Sequence, residues 1–367
     1  MGIRKYEVKP DYVTAPGETL KETLANMDYT QVQLAERLDI SYKHLSNIIN
    51  GKAVITSELA LKLDYILDIP SSFWNSLEKN YQEYIEEKKQ EELLDGQVEW
   101  VSHFPYNELV KLGYVPKIRD AKEKVKQLLK FFGYSSFEIM KKNMDSDELL
   151  AGAFRLSVNQ GEVNKYALKT WVQIGDNEIR KIDTKDFSKE TALKSIEELR
   201  SLTLVTDPSI FIPRLKEVAS SFGVAVVLVP EIKGSKVCGL TRWLSPYPKA
   251  AIQLSLRYKQ NDHLWFTFFH ELSHILFHNK KPFYTFVKAY KESEEEIFSD
   301  KWAADTLIPP QKLSVFLRKG TFTYESVRVF ADNIGIHPGI VVGRLQKEKV
   351  IGFDKLNSLK VRYKWNE

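Results

Sequence analysis

The run His270-Glu271-Leu272-Ser273-His274, inside the apolar stretch Trp265 to Phe277, most constrains what this chain can fold into. Histidines four residues apart point the same way on a helix, at roughly 100° per residue, so both imidazoles can reach one ion. The stretch therefore reads as a helix with two metal-binding rings and a carboxylate on one turn. In such sites the metal lowers the pKa of a bound water, and a carboxylate in the position of Glu271 takes the proton. This is a zinc-hydrolase signature, and it leaves the ligand set one member short.

Composition bounds the rest. A chain of 367 residues, 43% hydrophobic and 12% aromatic, can bury a large core and has length for two or three domains. Its one cysteine, Cys238, excludes an internal disulfide framework, and Met1-Gly2-Ile3-Arg4-Lys5-Tyr6 lacks the apolar core of a signal peptide. The expected compartment is the cytosol. No window offers the roughly 18 uninterrupted apolar residues of a membrane helix, so no membrane partner is expected. The net charge of +4 does not argue for nucleic acid. From Met1 to Pro70 eight Lys and Arg face ten Asp and Glu, a net of −2, so any DNA contact there needs a local patch or a dimer pairing two patches.

The patterning suggests a multidomain, mainly α chain with an α+β C-terminal domain. Residues 1–75 read as a helix-turn-helix bundle, 76–205 as a helical linker and middle region, and 206–367 as the metal-motif domain. Between residues 15 and 70, after Pro16 and Gly17, apolar positions recur at helical spacing: Leu20, Leu24, Val32, Leu34, Ala35, Leu38, Leu45, Ile48, Ile49, Leu59, Leu63 and Ile66. Thr30 can cap a helix from Gln31 to Leu38, and Ser41 one from Tyr42 to Asn50, which Gly51 ends. Phe73 to Leu94 reads as a polar helix whose charge run is a solvated face. Residues 100–205 show helical patterns at Asp120 to Phe132 and Lys189 to Ser201 and carry no assignable motif. Beyond Ile210 come a helix near Pro213 to Phe222 and strands at Val224 to Val229, Gly239 to Leu244 and Ala250 to Leu254. The motif helix follows, then helices at Glu294 to Leu307, Tyr324 to Ile334 and Gly339 to Lys347.

Two short helices joined by Asp39-Ile40-Ser41 make a helix-turn-helix. Gln31 opens the first where its amide can meet a phosphate, Ala35 is small where the helices approach, and Ile40 plugs the turn. The second presents Ser41, Tyr42, Lys43 and His44, then Ser46 and Asn47, able to hydrogen-bond base edges or phosphates in a major groove. A helical docking module without DNA is the plainer alternative. The segments Ala15-Pro16-Gly17-Glu18-Thr19-Leu20, Thr30-Gln31-Val32-Gln33-Leu34-Ala35 and Leu45 to Lys52, with Phe73-Trp74, resemble the HigA-type antitoxin branch of the phage-repressor helix-turn-helix family. The resemblance implies binding to operator DNA as a homodimer, autoregulation and a cognate toxin as partner.

In the C-terminal part, Thr241-Arg242-Trp243-Leu244-Ser245-Pro246, Ile252-Gln253-Leu254-Ser255, Trp265 to His270 and Trp302 to Pro309 resemble the ImmA/IrrE family of metallopeptidase domains, as does Ile336 to Leu345. The likeness covers roughly residues 210 to 350 and implies a zincin-like small sheet plus helices. It also suggests that Arg242 and Trp243 border a cleft.

Glu292, Glu294, Glu295 and Glu296 compete for the third ligand position. Spacing favours Glu296, because Asp300 lies four residues on, where it can take the free ring N–H of a ligating histidine. Glu296-Ile297-Phe298-Ser299-Asp300 also resembles the Glu-x-x-x-Asp element of many zincins. Family members often carry a second glutamate two positions later, and here that position is Phe298. The competing reading of the acidic run is a solvated first turn, suited to the helix dipole. His278, four residues beyond His274, can face the same way, though a surface position is the plainer reading; Cys238 reads as a small buried strand residue, and His263 and His337 as loop or surface residues without a role.

The resulting expectation is a regulator whose N-terminal domain binds an operator and whose C-terminal domain, with zinc on His270, His274 and Glu296 and Glu271 as general base, cleaves or senses a protein. The rival is an antitoxin and autorepressor that neutralises its toxin without turnover, its second domain serving for recognition.

Overall fold

A computed structural model describes residues 13–146, 154–156, 163–244, 249–278 and 294–364. Its contacts divide the chain into two units, Met1–Val98 and Glu99–Glu367. No helix among the described residues is long and apolar enough to cross a membrane.

Among its described residues the first unit has five α-helices: α1 Pro16–Asn26, α2 Gln31–Leu38, α3 Tyr42–Ile49, α4 Ser57–Leu67 and α5 Ser71–Leu94. Local chemistry sets their ends. Thr30 and Gln33 form a reciprocal capping box on α2, and the Ser41 hydroxyl accepts from the His44 N–H at 3.2 Å to start α3. Asp39 ends α2 in the left-handed region, and the Ile40 N–H returns to the Ala35 carbonyl at 3.1 Å. A β-carbon at Gly17 would collide with the main-chain oxygens of Ile48 and Ile49, so glycine lets α1 approach the end of α3.

Leu20, Leu34, Leu38, Leu45, Ile48, Leu63 and Leu67 close over Trp74, which is fully buried at the start of α5. One expected core position fails. Val32 is 53% exposed, because the buried stripe of α2 is Leu34, Ala35 and Leu38.

The second unit begins with α6 Tyr106–Lys111, α7 Ala121–Phe132, α8 Phe137–Asp145, β1 Phe154–Leu156, α9 Lys165–Ile179, α10 Lys189–Lys194, α11 Ile196–Ser201 and α12 Pro208–Ser221. It continues with β2 Val224–Leu228, β3 Val237–Leu244, β4 Lys249–Leu254, α13 Asn261–Phe277, α14 Glu294–Leu307, α15 Pro310–Arg318, α16 Tyr324–Ile334 and α17 Pro338–Lys347. The strands form one mixed sheet in the order β1-β3-β4-β2. β3 pairs antiparallel with β4, Thr241 opposite Ile252, while β2 runs parallel to β4 with Val226 opposite Ile252. The patterned Lys189 to Ser201 helix is two pieces, α10 and α11, meeting at Ser195.

Helix α13 packs against β3, β4, α14 and α17, and almost every residue along it is buried. Its apolar majority accounts for that enclosure. The N-terminus of α13 has no side-chain cap. The chain's last segment satisfies it instead: the Asn261 N–H donates to the Val361 carbonyl at 3.0 Å, and the Val361 N–H donates to Asn261 Oδ1 at 3.1 Å. Beside them Lys360 forms a 2.7 Å ion pair with Asp262, both side chains buried.

Residues 165–179, inside the region without a motif, supply α9, which is anchored to the sheet. Arg242 on β3 donates through Nε to Asp176 Oδ1 at 2.8 Å and through Nη1 to Gln253 Oε1 at 2.9 Å, and Gln253 Nε2 donates to the Trp171 carbonyl at 2.7 Å. Arg242 therefore does not border a cleft. It is buried, and its charge is matched by Asp176 under the sheet. Burial lowers its guanidinium pKa, and Asp176 opposes that shift. Trp243 packs partly buried against the main core, while Ser245 and Pro246 lie outside the described residues.

Candidate functional site

Four residues apart on α13, His270 and His274 turn their Nε2 atoms toward each other at 3.1 Å. Glu296, in the first turn of α14, brings Oε2 to 3.1 Å from His270 Nε2 and Oε1 to 3.3 Å from His274 Nε2. Among the described residues this is the one group of His, Cys, Asp or Glu whose ligand atoms converge closely enough for a metal ion. Glu294 and Glu295 are exposed, and Glu292 lies outside the described residues. Burial raises the Glu296 carboxyl pKa, but hydrogen bonds and charge from both imidazoles in their protonated form outweigh it and hold the group well below the usual carboxylate range.

The outer ring nitrogens have partners. His270 Nδ1 lies 2.8 Å from Asp300 Oδ1, the pairing expected from the i, i+4 relation of Glu296 and Asp300. An ionised carboxylate only accepts, so His270 carries its proton on Nδ1 and presents a bare Nε2 inward. His274 Nδ1 lies 2.8 Å from His278 Nδ1, with the buried Ser299 hydroxyl farther off at 3.5 Å. The surface position expected for His278 is wrong. Its ring is half-buried, 5.8 Å between centroids from Phe298, and burial followed by the charge of His274 lowers its pKa. Phe298 also packs on Phe277.

Glu271 is 1% exposed, and neither of its carboxylate oxygens has a hydrogen-bond partner. Its side chain lies on β3, where an added β-carbon at Gly239 would come 2.8 Å from Oε1. The Thr241 hydroxyl donates to the Glu271 carbonyl at 2.8 Å and fastens the helix to the strand at the motif. Burial raises the Glu271 pKa, and the two imidazoles pull the other way.

The donor set fits zinc. Zinc–nitrogen bonds of roughly 2.0–2.1 Å at tetrahedral angles place donors roughly 3.3 Å apart, close to the edges of the His270, His274 and Glu296 triangle. Bare nitrogen lone pairs facing a carboxylate repel unless a cation or proton lies between them, and the unpartnered Glu271 oxygens carry the same demand. A carboxylate left so buried costs at least about 1–3 kcal/mol.

Gly239, Thr241 and Ser299 were missed by sequence reasoning, while His278 takes the less favoured of the two positions its i+4 step from His274 left open. Cys238 is buried on β3 as expected. His263 stacks on Tyr258, and His337 caps α17 with Nδ1 accepting from the Gly339 N–H at 3.0 Å.

In the first unit, Tyr42, Lys43 and His44 are exposed along the start of α3, with Gln31, Ser46 and Asn47 half-buried. Ser41 is exposed, but its oxygen is the α3 cap. The Asn50 amide donates to the Ser46 carbonyl and hydroxyl, which leaves the Ser46 O–H as a donor. Two capped helices meet across a left-handed Asp39 with an exposed polar start to the second, and residues 20–74 match the helix-turn-helix family model HTH_3.

The first unit carries a helix-turn-helix domain.

The helix-turn-helix domain occupies a small part of the chain, and no curated protein matches the sequence. Among solved structures the chain is similar to an addiction module antidote protein of the HigA family from Coxiella burnetii, at 31% identity. That match covers 23% of this chain and 91% of the other, with a TM-score of 0.21. It is also similar to a hypothetical protein from E. coli, at 31% identity over 23% of this chain and 90% of that one, with a TM-score of 0.21.

Proposed function

We propose that the chain is a cytoplasmic transcription regulator in which the helix-turn-helix domain binds operator DNA and the second unit is a zinc-dependent peptidase of the ImmA/IrrE type. The observation that carries the peptidase reading is the convergence of His270, His274 and Glu296 beside a buried, unpartnered Glu271. His270, His274 and Glu296 would hold zinc, which supplies Lewis acidity at neutral pH. Asp300 keeps the His270 proton on Nδ1 and so keeps Nε2 available. Glu271 is the general base. Held between Gly239 and the imidazoles, its carboxylate takes the proton of the attacking water and returns it to the departing amine.

Zinc content of the purified chain beside Glu296→Ala tests the ligand set. Wild type should carry one equivalent and the variant little, and equal content would remove Glu296 as ligand. Glu271→Gln should retain zinc and lose cleavage of an unfolded protein such as casein.

The sequence resemblance to HigA-type antitoxins over residues 15–74 supports a second reading, an autorepressor that neutralises a toxin without turnover. A toxin-like neighbouring reading frame, with zinc bound but no cleavage by wild type, would favour it.

A further inference from the structure

We infer that His278 is a positioning residue for the metal centre, accepting the Nδ1 proton of His274 and thereby fixing the tautomer that turns His274 Nε2 inward. The inference rests on the zinc reading above and concerns how this chain prepares its second imidazole.

The two histidines of the motif are backed differently. His270 meets a carboxylate, Asp300, which can only accept. On His274 the nearest partner is another imidazole, with Nδ1 to Nδ1 at 2.8 Å, and a contact that short between two ring nitrogens needs one proton between them. A neutral His274 with Nε2 bare must carry that proton on Nδ1. His278 Nδ1 must then be bare, with its own proton on Nε2.

The end of the helix makes the contact possible. His278 is the C-cap of α13, with φ −103° and ψ 153°, yet its N–H still reaches the His274 carbonyl at 3.2 Å. The last hydrogen bond of the helix thus ties the two residues together while the extended backbone redirects the His278 ring. Phe298, which packs on both Phe277 and His278, holds that ring from the α14 side. Ser299 is the competing partner, but at 3.5 Å its hydroxyl sits at the limit of a hydrogen bond.

The test measures zinc affinity of the full chain by competition with a chromophoric chelator. His278→Leu removes the acceptor and should weaken binding about tenfold, the lower end of the 10- to 100-fold usual when such a partner is lost. His278→Gln, whose amide oxygen can accept the same proton, should recover most of the affinity, and Ser299→Ala should leave it unchanged. Equal affinity of His278→Leu and wild type, no recovery with His278→Gln, or a loss confined to Ser299→Ala would each overturn the assignment.

A wild-type chain that binds no zinc would instead bring down the metal-centre reading itself. Ring-nitrogen NMR of the wild-type chain reads the tautomers without any variant. Nδ1 protonated on His274 and bare on His278 is expected, and the reverse arrangement would also overturn the proposal.

Discussion

Gly239 lies against Glu271 so closely that a β-carbon would sit 2.8 Å from the carboxylate Oε1 and 2.9 Å from Cγ. The strand is thus one wall of the Glu271 compartment, and the wall has no room for a methyl group. Gly239→Ala should destabilise the second unit by about 1–3 kcal/mol in urea unfolding, the usual range for overpacking. It should lower turnover on casein far more than it lowers zinc content, because the groups it displaces are Thr267 and the proposed base, Glu271, and not a proposed ligand. Zinc lost in step with turnover would contradict that division.

On the zinc reading proposed above, removing Asp300 would act on the ion through His270. Asp300→Asn keeps the shape and leaves an amide that can present either its oxygen or its N–H to Nδ1, so zinc affinity should fall about 10- to 100-fold with little change in the unfolding midpoint of the metal-free chain. Chelator titration of wild type and variant measures the difference.

The start of α3 separates two kinds of contribution to DNA binding. Lys43→Ala should weaken operator binding in a gel shift and reduce the salt slope by about one, the mark of a lost phosphate contact. Ser41→Ala removes the helix cap and should cost about 1 kcal/mol of stability in the helix-turn-helix domain whether or not DNA is present. An unchanged shift for Lys43→Ala together with Asn47→Ala would show that α3 does not read the operator.

His337 makes stability depend on pH. Its Nδ1 accepts from the Gly339 N–H and from the Asn261 side-chain amide at 2.9 Å, and both interactions require the bare nitrogen. Burial lowers its pKa below the usual value of about 6.5. The unfolded chain therefore binds the proton more readily, so this contribution is complete above about pH 6.5 and is lost as pH falls from there through the depressed folded value. His337→Asn keeps a capping side chain that does not titrate. The urea midpoint should fall less between pH 8 and pH 5 in the variant than in wild type, and parallel curves would refute the assignment.

Asp176→Ala leaves the Arg242 guanidinium buried without its counter-charge, which should cost about 3–5 kcal/mol. Urea unfolding of wild type and variant measures it, and a loss under about 1 kcal/mol would mean that Gln253 alone holds the arginine.

The residues legible in advance were those whose spacing is dictated within one element. His270 and His274, and Glu296 with Asp300, each sit one helical turn apart, and a period of 3.6 residues places them on one face without knowledge of the fold. The two caps, Thr30 and Ser41, follow from local chemistry in the same way. What could not be read depends on packing between distant segments. Helix α9 went unassigned because its buried residues include Lys169, Thr170 and Gly175, which break the apolar pattern along the sequence. Lys169 is tolerated there because its ammonium donates to the carbonyls of Asn143, Met144 and Ser146. Arg242 looked like a cleft residue because its buried partner, Asp176, lies far away in the sequence. His278 was misplaced because helical spacing alone could not show the backbone turning at the C-cap.

The three converging donors belong to two helices, with His270 and His274 on α13 and Glu296 on α14. In a chain with a single, buried cysteine, a metal held by this set would play the part that a disulfide plays in secreted proteins. It would tie the two helices together only in the folded state, where the site is formed, so affinity for the ion and resistance to unfolding would rise and fall together. Metal supply would then govern how long the folded regulator persists as well as whether it can cleave.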